Sequence, residues 1–212
     1  MKNIWIAVLA IAAVACGSPK ADSNNTQEEK QVEKVCTYNL SANDASVYWE
    51  AYKLTNKIGV GGQFDSLSLS LNANDASVKD LLTNASIEIF TQSVNSKDEV
   101  RDGKLRNIFF GGLEADVITG EIVSVEGNND AGKAKAKLMM NNVENNVEFN
   151  YTTSEKEIKL TASIDMLAFA ADAPFKALNE ACEEKHTGPD GVNKLWPDVK
   201  VNFFAPITKT CD

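Results

Sequence analysis

One histidine, His186, serves a chain of 212 residues. A hydrolase built on a nucleophile and an imidazole base therefore has one candidate base, and no Gly-x-Ser-x-Gly accompanies it. His186 closes a helical run and is expected to be exposed. Acidic pairs such as Glu183-Glu184 read as a solvated helix face. Zinc is poorly supplied, because the four cysteines form no Cys-x-x-Cys. The loop from His186 to Gly191 lacks the ligand spacing of a calcium loop. Positive charge is also scarce: 21 Lys and Arg stand against 30 Asp and Glu, a net charge of −9. No basic run or basic–aromatic stripe occurs, which excludes nucleic acid and electrostatic adhesion to anionic headgroups. Neither catalysis, a metal nor a cofactor is expected.

No apolar run is long enough to span a bilayer as a helix. The longest, Ile4 to Val14, follows Met1-Lys2-Asn3 and ends in Ala13-Val14-Ala15-Cys16. That layout reads as a secretory signal peptide over residues 1–15. Its junction resembles the lipobox of bacterial lipoproteins, which implies acylation at Cys16 and a membrane as partner. Large apolar residues are then almost missing from 17–33, so residues 16–34 are expected to be a lipidated cysteine on a disordered tether reaching about 25 Å. Residues 35–212 form the folded domain. The expected address is the cell envelope outside the cytoplasm, lipid-anchored, on the periplasmic or surface face.

With Cys16 assigned to lipid, Cys36, Cys182 and Cys211 remain, an odd number for an oxidising compartment. Cys36 and Cys211 bracket the domain. In a closed up-and-down barrel the first and last strands are neighbours, which favours a Cys36–Cys211 bridge with Cys182 buried and free. A Cys182–Cys211 bridge competes, and connectivity does not follow from sequence.

What the domain has in abundance is period-two alternation. Leu67, Leu69 and Leu71 share one face, as do Ile87 and Ile89. Ala134, Ala136, Leu138 and Met140 alternate with Lys133, Lys135 and Lys137. Val147, Phe149 and Tyr151 form another set, and Ile158, Leu160, Ala162, Ile164 and Met166 the longest. Val199, Val201 and Phe203 close the series. Val117 to Val125 is apolar on both faces and shows no inward side. Asn-rich turns separate the runs, so antiparallel hairpins are expected. Two stretches read as helix: Asp98 to Phe110, and Pro174 to His186 with Pro at the first helical position. The six residues from Ala42 to Val47 recur from Ala73 to Val78, which reads as shared loop chemistry.

The outer faces are polar and helices are few. The fold expected is therefore all-β: an antiparallel barrel of about eight strands with short helical insertions. Small inward residues leave room for a ligand, or merely fit the taper of a filled core. Periodicity does not separate the two. The residues that share inward parity and would contact a ligand are Val47, Trp49, Ala51, Phe64, Leu69, Ile87, Ile89, Ala134, Ala136, Leu138, Met140, Ala162, Ile164 and Met166.

From Ser86 to Phe110 the chain reads SIEIFTQSVNSKDEVRDGKLRNIFF. With Ser93, Asn95, Arg101-Asp102, Leu105-Arg106 and Phe110, this resembles the signature of the YceI-like family of secreted bacterial proteins. Val47 to Lys53, with Gly62 and Phe64, is similar to that family's first long strand and Gly-x-Phe turn. Leu138 to Val147 and Ile164 to Phe169 follow in the right order. The resemblance implies an extended, lipocalin-like barrel whose apolar interior holds an isoprenoid, quinone-like or lipid chain. The chain departs from the pattern at Lys53, where the family has His, and at Asn142, where it has Gly. The Tyr-Pro expected after Gly111-Gly112-Leu113 is missing, and Pro174 to Pro197 looks like an insertion. Arg101 and Asp102 could bind a headgroup; such a pair more often ties down a loop. Three functions follow in order: a carrier or sensor of an apolar chain, a filled scaffold or docking lipoprotein, and an enzyme without histidine.

Overall fold

The longest inward set defines strand β10, Glu157–Asp165. Ile158, Leu160, Ala162 and Ile164 are all buried there while Glu157, Ser163 and Asp165 are exposed. The structure, a computed structural model, describes residues 35–113 and 115–212. The signal peptide, Cys16 and the tether lie outside the described residues.

Around β10 the chain supplies β1 (Cys36–Leu40), β2 (Ser46–Lys53), β3 (Ile58–Phe64), β4 (Leu67–Ser70), β5 (Ser86–Phe90) and β6 (Val94–Asn95). Then come β7 (Val117–Gly127), β8 (Ala131–Met140), β9 (Val143–Thr153) and β11 (Leu195–Cys211). All pairings between these strands are antiparallel. Consecutive strands from β7 to β11 pair in order, and β11 passes on to β2 and β2 to β3.

Among the described residues there are eleven strands where about eight are expected, and the difference has a local cause. Asp65-Ser66 interrupts one extended run into β3 and β4. A 3-10 turn at Thr91–Ser93 interrupts another into β5 and β6. β4 pairs β5 while β3 pairs β6, so the two runs adjoin along a split seam. Asp65 N–H donates to the Ser93 carbonyl at 3.0 Å and Phe90 N–H to that of Ser66 at 3.2 Å, bridging the break. Eight runs thus curl into a barrel, and β1 is an addition that pairs only β11 among the strands. Gly62 and Phe64 lie within β3 rather than in a turn.

The ambiguous run, β7, contains a bulge. Its register against β8 shifts between Ile122 and Ser124, which leaves Val123 unpaired and 43% exposed. The extra residue resets the alternation. That is why both faces look apolar in sequence. Between β8 and β9, Asn141 and Asn142 take φ of 54° and 56° and close a two-residue hairpin with Met140 opposite Val143. Asn tolerates this left-handed conformation, so the departure from the family's Gly is accommodated.

One end of the barrel is closed by β1 and by helix α1 (Val78–Leu82), whose Val78, Leu81 and Leu82 are buried. Ser77 caps α1 by accepting the Asp80 N–H. The opposite end carries α2 (Glu99–Lys104), which continues as a π-helical segment at Leu105–Phe110, and α3 (Asp172–Ala181). Two corrections apply here. Val100 is 73% exposed and takes no part in packing. The helix expected from Pro174 to His186 begins at Asp172 and breaks at half-buried Cys182, before the short α4 (Glu183–His186). Pro174 is third in α3, where the missing N–H still has no helical partner to lose.

Candidate apolar cavity

Strand alternation turns one face of every run inward, and the inward side chains do not fill the space. A cavity of about 220 Å³ remains. It runs from Leu40, Leu82 and Ala85 near α1 to Leu105, Phe109, Phe110, Phe175 and Leu178 under α2 and α3. Leu69, Ile87, Ile89, Leu138, Val201 and Phe203 border it and keep part of their surface exposed. A packed core at crystal-like density would bury such residues fully.

Twelve of the fourteen residues expected to face a ligand border this space: Val47, Trp49, Ala51, Phe64, Leu69, Ile87, Ile89, Ala136, Leu138, Met140, Ile164 and Met166. Met166 does so from a 3-10 turn, Met166–Phe169, rather than from β10. Ala134 and Ala162 do not. Ala134 is fully buried opposite Phe149, and Ala162 lies buried between Leu160 and Ile164. Their parity is right, but unlike Ala51 and Ala136 they lie outside the stretch of wall that the cavity reaches.

The expected set omits the cap and the far wall. Phe109 and Phe110 meet edge to face at 5.3 Å, and Phe110 meets Phe64 likewise at 6.0 Å. Phe175 and Leu178 come from the apparent insertion, so that segment covers one end of the cavity. A Cβ at Gly112 would come within 2.9 Å of the Pro174 ring, so glycine is what lets α3 approach. Val199, Val201 and Phe203 carry a visible alternation and could have been added from sequence. The wall also depends on Gly62, over which the Trp49 indole lies; a Cβ there would meet the ring at 2.5 Å.

Arg101 and Asp102 take the structural role. Asp102 is 4% exposed and accepts the Ser96 N–H at 2.9 Å as well as the Ser96 hydroxyl. Arg101 donates through Nε to Ser96 Oγ at 2.7 Å and through a terminal nitrogen to the Ser96 carbonyl at 2.9 Å. The pair locks the β6–α2 loop and so positions the phenylalanines that follow.

His186 is not exposed as expected: it is 8% exposed, with Nδ1 2.9 Å from Asn179 Oδ1. α4 turns back under α3 after the break at Cys182, and this buries the ring. Burial, with the Lys53 and Lys104 charges nearby, pushes its pKa down to about 4. The ordinary value near 6.5 applies in the unfolded chain, so between those limits the unfolded state binds more protons. The full stability is present above pH of about 6.5 and is lost as pH falls towards about 4. Acidifying from about pH 7 to about 4.5 should cost the native protein about 2 kcal/mol more than a His186→Gln variant. Parallel melting curves for the two proteins over that range would refute this.

A YceI-like domain model matches residues 38–204. Several solved structures share the fold. A polyisoprenoid binding domain from Saccharophagus degradans is 18% identical with a TM-score of 0.57, over 82% of this chain and 99% of that one. Burkholderia cenocepacia BcnA is 11% identical with a TM-score of 0.59, over 80% and 99%. The Campylobacter jejuni YceI protein is 18% identical with a TM-score of 0.51, over 72% and 85%. No curated protein matched the chain. The match from Tyr38 to Phe204 takes in every strand but the first two residues of β1 and the end of β11, and with them the cavity, so the chain belongs to the YceI-like domain family.

Proposed function

We propose that the protein holds one long apolar molecule, an isoprenoid, quinone-like or lipid chain, inside the barrel, as a carrier or sensor in the cell envelope. The observation that carries this reading is the elongated cavity walled by inward apolar side chains that keep accessible surface. Each 100 Å² of ligand surface buried there contributes about 2.5 kcal/mol before association costs. The Saccharophagus degradans domain of the same fold is described as polyisoprenoid binding, which supports the same ligand class here. A filled scaffold is disfavoured because its core would leave no such space. The Ala13-Val14-Ala15-Cys16 junction supports acylation and anchoring to a membrane.

Native mass spectrometry of the full chain purified from the envelope tests both parts. The expected spectrum shows a mature chain starting at acylated Cys16, with an added mass that organic extraction removes. A ligand-free mass, with no uptake from a total lipid extract, would overturn the carrier reading. An unmodified Cys16 would overturn the anchor alone.

A further inference from the structure

Three lysines lie next to lining residues at the capped end of the cavity, none of them part of the lining itself. Lys53 falls on the same face of β2 as Val47, Trp49 and Ala51, one step beyond them. Lys104 precedes Leu105 and Lys194 precedes Leu195, and both leucines border the cavity. In a chain with 30 acidic and 21 basic side chains, carboxylate partners are plentiful. Yet among the described residues none of these three lysines forms a salt bridge. Lys104 donates to the Ala181 carbonyl at 2.6 Å, and Lys194 lies over the Trp196 ring at 4.7 Å. The neighbouring acids are engaged elsewhere. Asp198 takes Lys57 at 3.0 Å, Asp190 takes the Thr55 hydroxyl at 2.7 Å, and Glu50, on the other face of β2, accepts the Tyr52 hydroxyl at 3.0 Å. Lys53 and Lys104 both lie near enough to His186 for their charges to act on it. A half-buried lysine without a carboxylate partner, beside the end of an apolar lumen, favours an arriving anion.

We propose that Lys53, supported by Lys104 and Lys194, is the head-group site of this cavity, and that the chain it takes up carries an anionic oxygen head, a carboxylate or a phosphate. This rests on the apolar-chain reading and adds the class of head. The tail lies along the wall from Ala51 towards Val47, and the head meets the ammonium beyond Ala51.

The test titrates the full chain with farnesyl phosphate, farnesol, palmitate and hexadecanol, following the fluorescence of Trp49 and Trp196 beside the cavity. The native protein should bind each anionic probe at least about tenfold more tightly than its neutral counterpart. Raising salt from about 0.05 to about 0.5 M should weaken only the anionic probes. Lys53→Met should bring each pair within about twofold and leave the neutral affinities unchanged; Lys53→Gln serves if Met lowers the melting temperature. Lys53→Arg should keep the preference, as should Lys57→Met, whose charge Asp198 already offsets. A preference in only one pair supports the site and names the head. Equal affinities in the native protein, or a preference that survives in Lys53→Met, overturns the head-group site and leaves the apolar-chain reading standing. Failure to bind any of the four probes overturns both.

Discussion

A Cys36→Ser, Cys211→Ser double variant is expected to lose about 3–5 kcal/mol of stability and about 10–15 °C in melting temperature. The two cysteines face each other directly in the β1–β11 ladder, with Cα atoms 4.1 Å apart. Their bridge spans a sequence separation of 175. For a loop of that length, chain entropy alone predicts about 5 kcal/mol, and removing native bridges costs about 2–5. Without the bridge, β1 keeps its five-residue ladder, the Tyr38–Ala76 pair and the Asn39–Asp75 hydrogen bond, none of them covalent. It should then fray and uncover Tyr38 and Leu40, which are 3% and 5% exposed. Chemical denaturation of the variant measures the loss. An unchanged midpoint would show that β11 holds β1 without the covalent link.

Two alanine-to-phenylalanine substitutions should have opposite consequences. Ala136 borders the cavity between Ile122 and Val147, and a ring added there has space to enter. Ala136→Phe should abolish ligand retention and change stability by less than about 1 kcal/mol. Ala162 has no such space. Ala162→Phe must displace Leu160 or Ile164, which costs about 1–3 kcal/mol and leaves the cavity in the folded fraction. Lipid extraction and thermal melts on both variants separate the cases. If Ala136→Phe proves as destabilising as Ala162→Phe and still carries lipid, the space beside Ala136 is not the binding volume.

Much of this architecture is legible in the residues, because period two survives wherever a strand is regular and wet on one side. The alternation in β10 matches the buried face residue by residue, and that in β8 does so except at half-buried Leu138. It fails where a single backbone event intervenes. The bulge at Val123 hides the inward side of β7, and the break at Asp65-Ser66 splits one run into two. Identical residues also diverge. Ser46-Val47 opens β2, whereas Ser77-Val78 caps and opens α1. Local chemistry leaves both options available, and packing decides: Val47 turns into the barrel and Val78 under its closed end. His186 was misplaced for a related reason. A helix break at Cys182 has no sequence signature there, and it turns a surface position into a buried one. The cavity itself is a property of facing distances between strands, which side-chain order along the chain does not encode.

β11 has a kinetic consequence. One strand of 17 residues is the common partner of β1, β2 and β10. Both β1 and β2 precede it by well over a hundred residues, so neither can pair with it locally. Until β11 arrives, β1, β2 and β10 each present an unpaired edge, and the apolar lumen stands open to solvent. Loop closure over that span is entropically costly, so folding should be slow for a domain of this size. The exposed edges leave the nascent barrel prone to aggregation until β11 has docked.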